Sequence, residues 1–236
     1  MRKMFFSAVI MLMGAFTATA DDKKEVWDWP KYSYYADANA ELLKNKPEDP
    51  RRVVFFGNSI TEGWPIHSPQ FFAENPNFVG RGVWGQSSYE FLLRFIEDVI
   101  KLKPAAVVIC AGGNDVAENT CPYNEERTFN NIVGLIDMAQ AHGIQVILTS
   151  VLPAAKFPWS PEITGSSDKI AALNVLLKNY ADSHDIPYVD YYSSLVNGKP
   201  DRAFKEGLAG DGVHPNAEGY KIMEKLVLPV IKKYVP

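Results

Sequence analysis

Along this chain, short apolar runs alternate with longer stretches in which apolar residues recur every third or fourth position. The runs fall at residues 53–56, 78–79, 105–110, 146–148 and 186–189. Their brevity and unbroken apolar character suit strands buried on both faces. Between them, Phe91, Leu92, Phe95, Ile96, Val99 and Ile100 predict one amphipathic helix. Phe129, Ile132, Val133 and Ile136 predict a second, stopping at His142 and Gly143. Ile170, Leu173, Leu176, Leu177 and Tyr180 predict a third that ends near His184, and a last helix is expected over 215–234, with Pro215 as its first residue. Strands alternating with helices predict an α/β fold: a parallel sheet of five strands with helices on both faces.

Three segments fall outside this rhythm. At the start, Arg2 and Lys3 precede an apolar run over 4–16 and the small residues Ala18, Thr19 and Ala20. This reads as a secretory signal peptide over 1–20, too short to span a bilayer, which takes about 20 apolar residues. No cysteine lies near the cut to carry a lipid, so a periplasmic or extracellular protein without membrane anchor is expected. Residues 21–50 carry Trp27, Trp29, Tyr32, Tyr34 and Tyr35, then a short helical stretch about 36–43. They are expected to form an arm packed on the domain at 51–236. Residues 153–168, "PAAKFPWSPEITGSSD", make a long, proline-rich loop after the fourth strand. Loops of that length are mostly functional or disordered, and ligands of open parallel sheets bind beyond the carboxyl ends of the strands.

Composition adds bounds. The chain is 47% hydrophobic and 22% charged, which is ordinary for a globular domain. Without Arg2 and Lys3 it holds 22 basic against 28 acidic residues, a net charge of −6. Nucleic acid and anionic membrane surfaces are therefore poor partners. The only cysteines are Cys110 and Cys121. Export leaves a disulfide open, while the end of an apolar run equally suits Cys110 as a buried thiol.

Polar residues gather where the apolar runs stop. Asn58 and Ser59 follow the first, "GVWGQ" (82–86) the second and "AGGND" (111–115) the third, and "DGVH" (211–214) precedes the last helix. A serine hydroxyl needs an adjacent base to act as a nucleophile. An imidazole supplies one when an acceptor fixes its tautomer, and Asp211 and His214 can come from one loop. An oxyanion needs two or three fixed donors. The N–H groups of Ser59 and Gly85 and the amide of Asn114 are the candidates.

These stretches resemble the four sequence blocks of the GDSL, or SGNH, hydrolases. "FFGNSITEGW" resembles the first, which carries the nucleophile, and "GRGVWGQSS" the second, with Gly85 matching its oxyanion glycine. "AGGNDV" matches the third, with Asn114 as its oxyanion asparagine, and "DGVHPNAEGY" the last, with Asp211 and His214 in the Asp-x-x-His positions. The blocks occur in the family's order between residues 53 and 220. The resemblance implies a flavodoxin-like three-layer sandwich and metal-free, cofactor-free ester hydrolysis through an acyl-enzyme. One departure is visible: the family's usual Gly-Asp-Ser is Gly57-Asn58-Ser59 here.

Blander readings stand beside these. Ser59 could cap a helix starting near Ile60, with Glu62 at its third position. Asp115 could cap or hydrogen-bond its loop, and His67 could line the site or sit on the surface. "GRGVWG" (80–85) matches Gly-x-Gly-x-x-Gly, but residues 99–114 contain no Asp or Glu for a ribose. Trp64, Trp84 and Trp159 lie on or near the proposed edge, where they could stack on sugar rings or pack under loops. Export, the acidic mature chain and these tryptophans favour O-acetyl groups on a polysaccharide. The chain resembles most the branch of the family with platelet-activating-factor acetylhydrolase-like and sugar-ester enzymes, and that resemblance implies short acyl chains. The alternatives are a lipid or thioester acylhydrolase and a non-catalytic carbohydrate-binding protein.

Overall fold

The computed structural model describes residues 28–235; the expected signal peptide and Trp27 lie outside the described residues. Five parallel strands carry the architecture: β1 (Val53–Gly57), β2 (Phe78–Gly82), β3 (Ala106–Cys110), β4 (Gln145–Thr149) and β5 (Tyr188–Val189). Their order is β2-β1-β3-β4-β5, with Val53 paired to both Phe78 and Ala106. The chain leaves β1 toward one side and returns to pair β3 on the other. A crevice opens at such a reversal, beyond the carboxyl ends of β1 and β3.

The two-residue period of the strands divides their side chains between two cores. Val54, Phe56, Val107, Ile109, Val146 and Leu148 face one side. There they meet α4 (Ser88–Asp98), α6 (Glu125–Ala141) and α7 (Ser166–Ser183). Val53, Phe55, Ala106, Val108, Cys110 and Ile147 face the other. There they meet α2 (Ser59–His67), α3 (Pro69–Glu74), α8 (Tyr191–Leu195) and α9 (Ala217–Tyr234). Helix α1 (Ala36–Asn45) follows the N-terminal arm, and the single turn α5 (Gly113–Val116) follows β3.

Two expectations shift. Helix α4 turns Phe91, Arg94, Phe95 and Asp98 inward and leaves Ile96 exposed. The face read from apolar residues alone is thus rotated, because a buried ion pair takes two of its positions. The last helix begins at Ala217, and the side chain of Asn216 caps it by accepting from Glu218 N–H and Gly219 N–H. Pro215 therefore lies outside the helix, in an antiparallel bridge with Ala209. Cys110 and Cys121 are free thiols, and burial pushes Cys110 up to about 11. Among the described residues no helix is long and apolar enough to cross a membrane.

Candidate active site

At the end of β1, Asn58 rather than Ser59 caps α2. Its side-chain oxygen accepts from Ile60 N–H at 3.0 Å. Ser59 is thus the first helical residue, and its hydroxyl is free for another partner. Gly82 makes the close approach of this turn possible: a Cβ there would lie 2.2 Å from Glu62 N and 2.5 Å from Asn58 O.

That partner arrives from 155 residues away. Ser59 Oγ lies 2.9 Å from His214 Nε2, and His214 Nδ1 lies 2.7 Å from Asp211 Oδ2. The Ala209–Pro215 bridge closes the loop carrying both residues, and Asn216 N–H anchors its base on Leu208 O at 2.9 Å. The other carboxylate oxygen of Asp211 accepts from the backbone N–H groups of Val213, at 2.9 Å, and His214, at 2.8 Å. Burial alone would raise this carboxyl, but these backbone bonds and the His214 ring outweigh it and hold it below the ordinary carboxylate value. An ionised Asp211 draws the proton to Nδ1 and leaves the Nε2 lone pair facing the serine.

Ser59, Gly85, Asn114 and His214 line one open cleft of about 380 Å³, together with Trp84, Asn119 and Trp159. Gly85 takes a positive φ of 75°, a conformation that suits glycine. The Asn114 amide donates to Gln86 O at 2.9 Å, which orients its nitrogen and leaves a second amide hydrogen. Asp115, next along, is buried and accepts from Ser88 N–H and Oγ–H, so its role is to dock α4 onto this loop. Behind Ser59 a much smaller cavity of about 20 Å³ is walled mainly by apolar residues, among them Val151, Ala154, Phe157 and Val213. Two bonds between Val151 and the Asn174 amide, at 2.7 and 3.0 Å, fix the backbone just before the long loop in this wall.

The three tryptophans divide. Trp84 is 60% and Trp159 43% exposed, and both line the cleft. The Trp159 ring lies 5.8 Å from that of His214, and its N–H donates to Asn119 Oδ1 at 2.9 Å. Trp64 does not belong to the site. It is 2% exposed, stacked on Phe71 with ring centroids 5.5 Å apart, and bonded to Glu224. Five residues beyond Ser59 on one helix correspond to about 140° of rotation, which turns Trp64 into the core. His67 is exposed and stacks on Tyr220, outside the residues lining the cleft. Asn119 was missed by sequence reasoning: a lone Asn four residues after Asp115 carries no local signal. Among the described residues no group of three or more His, Cys, Asp or Glu side chains could hold a metal ion.

An open parallel sheet with a serine, histidine and aspartate in series at its carboxyl edge defines a class of α/β protein built around one hydroxyl. Within that class, the GDSL-like Lipase/Acylhydrolase family model matches residues 55–222, and the chain belongs to this family. A solved structure from Bacteroides fragilis is 51% identical, with a TM-score of 0.84 over 89% of this chain and 99% of its own. A GDSL-like lipase from Bacteroides thetaiotaomicron is also 51% identical, with a TM-score of 0.82 over 86% of this chain and 98% of its own. Among curated relatives, an acetylxylan esterase of Xylanibacter ruminicola is 23% identical over 80% of this chain and 45% of its own length. The chain thus spans less than half the length of that relative.

Proposed function

We propose that the protein is an exported serine esterase that removes short acyl groups, chiefly acetyl, from carbohydrate. The observation that carries this reading is the series Ser59–His214–Asp211, with contacts of 2.9 and 2.7 Å, opening on a cleft with two exposed indoles. His214 Nε2 takes the hydroxyl proton as Ser59 Oγ attacks the ester carbonyl. Asp211 stabilises the imidazolium. The N–H groups of Ser59 and Gly85 and the free amide hydrogen of Asn114 receive the oxyanion. The imidazolium then protonates the leaving alcohol, and a water activated by His214 releases the acid.

Acetyl preference is supported by the small cavity beside Ser59. Its 20 Å³ is about the space one water-sized group occupies, enough for a methyl group. Trp84 and Trp159 offer flat faces of the kind that pack on sugar rings, and the acetylxylan esterase relative is in keeping with such a substrate. The test is acetate release from a panel of acetylated polysaccharides, together with a series of acyl chain lengths on one alcohol. Wild type should release acetate and act faster on acetyl than on octanoyl esters, and Ser59→Ala should lose turnover while keeping its melting temperature. Faster cleavage of long chains would move the protein to the lipid acylhydrolases. Retained activity in Ser59→Ala would remove the nucleophile from this account.

A further inference from the structure

The turn that presents Gly85 is thinly held by its own backbone. Between β2 and α4, Val83 N–H donates to Gly57 O at 3.1 Å and Gln86 N–H to Val83 O at 3.4 Å; the second is long for a hydrogen bond. The remaining restraints come from outside the turn, and several trace to the N-terminal arm. Tyr35 Oη–H donates to Gly82 O at 2.5 Å. The Gln86 side chain donates to Pro30 O at 2.8 Å. Glu62 Oε2 accepts from Trp84 N–H at 2.6 Å, and its other oxygen accepts from the Tyr34 hydroxyl. Lys31 Nζ lies 4.0 Å from the centre of the Trp84 indole. Lys31 itself takes φ 59°, uncommon for a residue with a side chain, and Asp28 accepts from Tyr32 N–H at 2.6 Å to keep the arm folded back.

These contacts bracket Gly85. Trp84 N–H before it and the Gln86 side chain after it are both anchored, and Gly85 O itself accepts from the Asn119 amide at 3.0 Å, so the backbone on both sides of Gly85 N–H is restrained. Gln86 also accepts from buried Arg94 through its side chain and from Asn114 through its main chain. The same residue therefore bears on two of the three oxyanion donors. An oxyanion donor lowers the barrier only if it is aimed before charge develops. Glu62 sits three residues beyond Ser59 on α2, so its carboxylate links the nucleophile's helix to the oxyanion turn.

We propose that the arm at residues 30–35 is a working part of the active site. Through Tyr34 and Glu62 it braces the turn so that Gly85 N–H faces the attacked carbonyl. Glu62 and Tyr34 are positioning residues and touch no reacting atom. The proposal rests on the esterase reading above.

The test measures kcat and KM on a soluble acetate ester, the inactivation rate by a fluorophosphonate, and the melting temperature, for wild type, Glu62→Ala, Glu62→Gln and Tyr34→Phe. Glu62→Ala is expected to lower kcat roughly 10- to 100-fold, short of the ~10²–10³ typical of deleting a donor outright. KM should stay within about twofold, and inactivation should slow in parallel with kcat. Tyr34→Phe should cost about 2- to 10-fold, as for loss of one hydrogen bond. Glu62→Gln keeps an oxygen for Trp84 N–H and should stay within about threefold of wild type. Full kcat in Glu62→Ala overturns the brace, as does a fall in melting temperature with an unchanged inactivation rate. A wild type that neither cleaves esters nor reacts with the phosphonate overturns the esterase reading first, and the brace with it.

Discussion

Replacing Asp211 by Asn tests the proton relay more sharply than deleting it. Asp211 Oδ1 accepts from two backbone N–H groups, at 2.8 and 2.9 Å. Those groups can only donate, so the Asn oxygen must take that position and its NH2 must face His214 Nδ1. Nδ1 then has to accept, the ring proton moves to Nε2, and Nε2 can no longer take the proton of Ser59 Oγ. Imposing the wrong tautomer costs about 10⁴-fold in kcat, some 5 kcal/mol of barrier. The fold should barely register the change, because the Asp211 side chain is 42% exposed and solvent screening leaves about 1 kcal/mol or less. Its folded carboxyl lies below the ordinary value. Its contribution to stability is therefore complete above the unfolded value, about pH 3.9, and is lost as pH falls through the lower folded value. The assay is kcat/KM on a soluble acetate ester at pH 7 to 8, with a thermal melt as control. Asp211→Ala removes the carboxylate without imposing a tautomer and should be no slower than Asp211→Asn. An Asp211→Asn enzyme within about tenfold of wild type would refute the tautomer argument.

Two further outcomes follow from buried charges near the site. Arg94 is fully buried and donates to Gly57 O, Arg81 O and Asp98. Arg94→Met, which leaves Asp98 with the Asn39 amide but without its paired cation, should destabilise by about 3–5 kcal/mol in urea unfolding, whereas a loss under 1 kcal/mol would show that the pair contributes little. Burial raises the Asp115 carboxyl, against the hydrogen bonds from Ser88 and Thr128. Its stability contribution is thus fully present below the unfolded value, about 3.9, and is lost as pH rises through the higher folded value. Unfolding free energies at pH 3.5 and pH 7 should show wild type losing ground to Asp115→Asn on going up in pH, and a constant or growing advantage for wild type would reverse the sign argued here.

What the sequence discloses here is mostly what the backbone repeats. Residues 53–57 are buried throughout, so an unbroken apolar run was enough to place β1 and the residues at its end. Ser59, Gly85, Asn114 and the Asp211–His214 pair could be placed for the same reason, since each follows or precedes a recognisable element, while the roles expected of them came from the resemblance to the four sequence blocks. Side chains whose position depends on helical phase were harder. Trp64 is close to Ser59 in sequence and faces the opposite way, and Arg94 holds a core position that a charged residue rarely takes. Contacts between distant segments, such as Tyr34 with Glu62 or Trp159 with Asn119, leave no local trace. They exist only once the arm and the long loop have been laid against the crevice.

The Asn58 departure acquires a physical meaning in this setting. Its structural task is to cap α2, and Asn caps a helix about as well as Asp. What an Asp would add is a negative charge at a helix N-terminus, a gain of about 0.3–1 kcal/mol. That charge would stand in the residue directly before the nucleophile, in the wall of the cavity that Asn58 shares with Ser59 and Asn114. There it would have to be desolvated, because this position is 5% exposed. Asn58 keeps the cap without that desolvation cost. The Glu62 carboxylate is the compensating case: it too lies near the oxyanion turn, but both its oxygens are taken up by Trp84 N–H and the Tyr34 hydroxyl. Asn58 and Glu62 thus each keep the acceptor that their local structure requires, and the negative charge of Glu62 is hydrogen-bonded to the turn it faces.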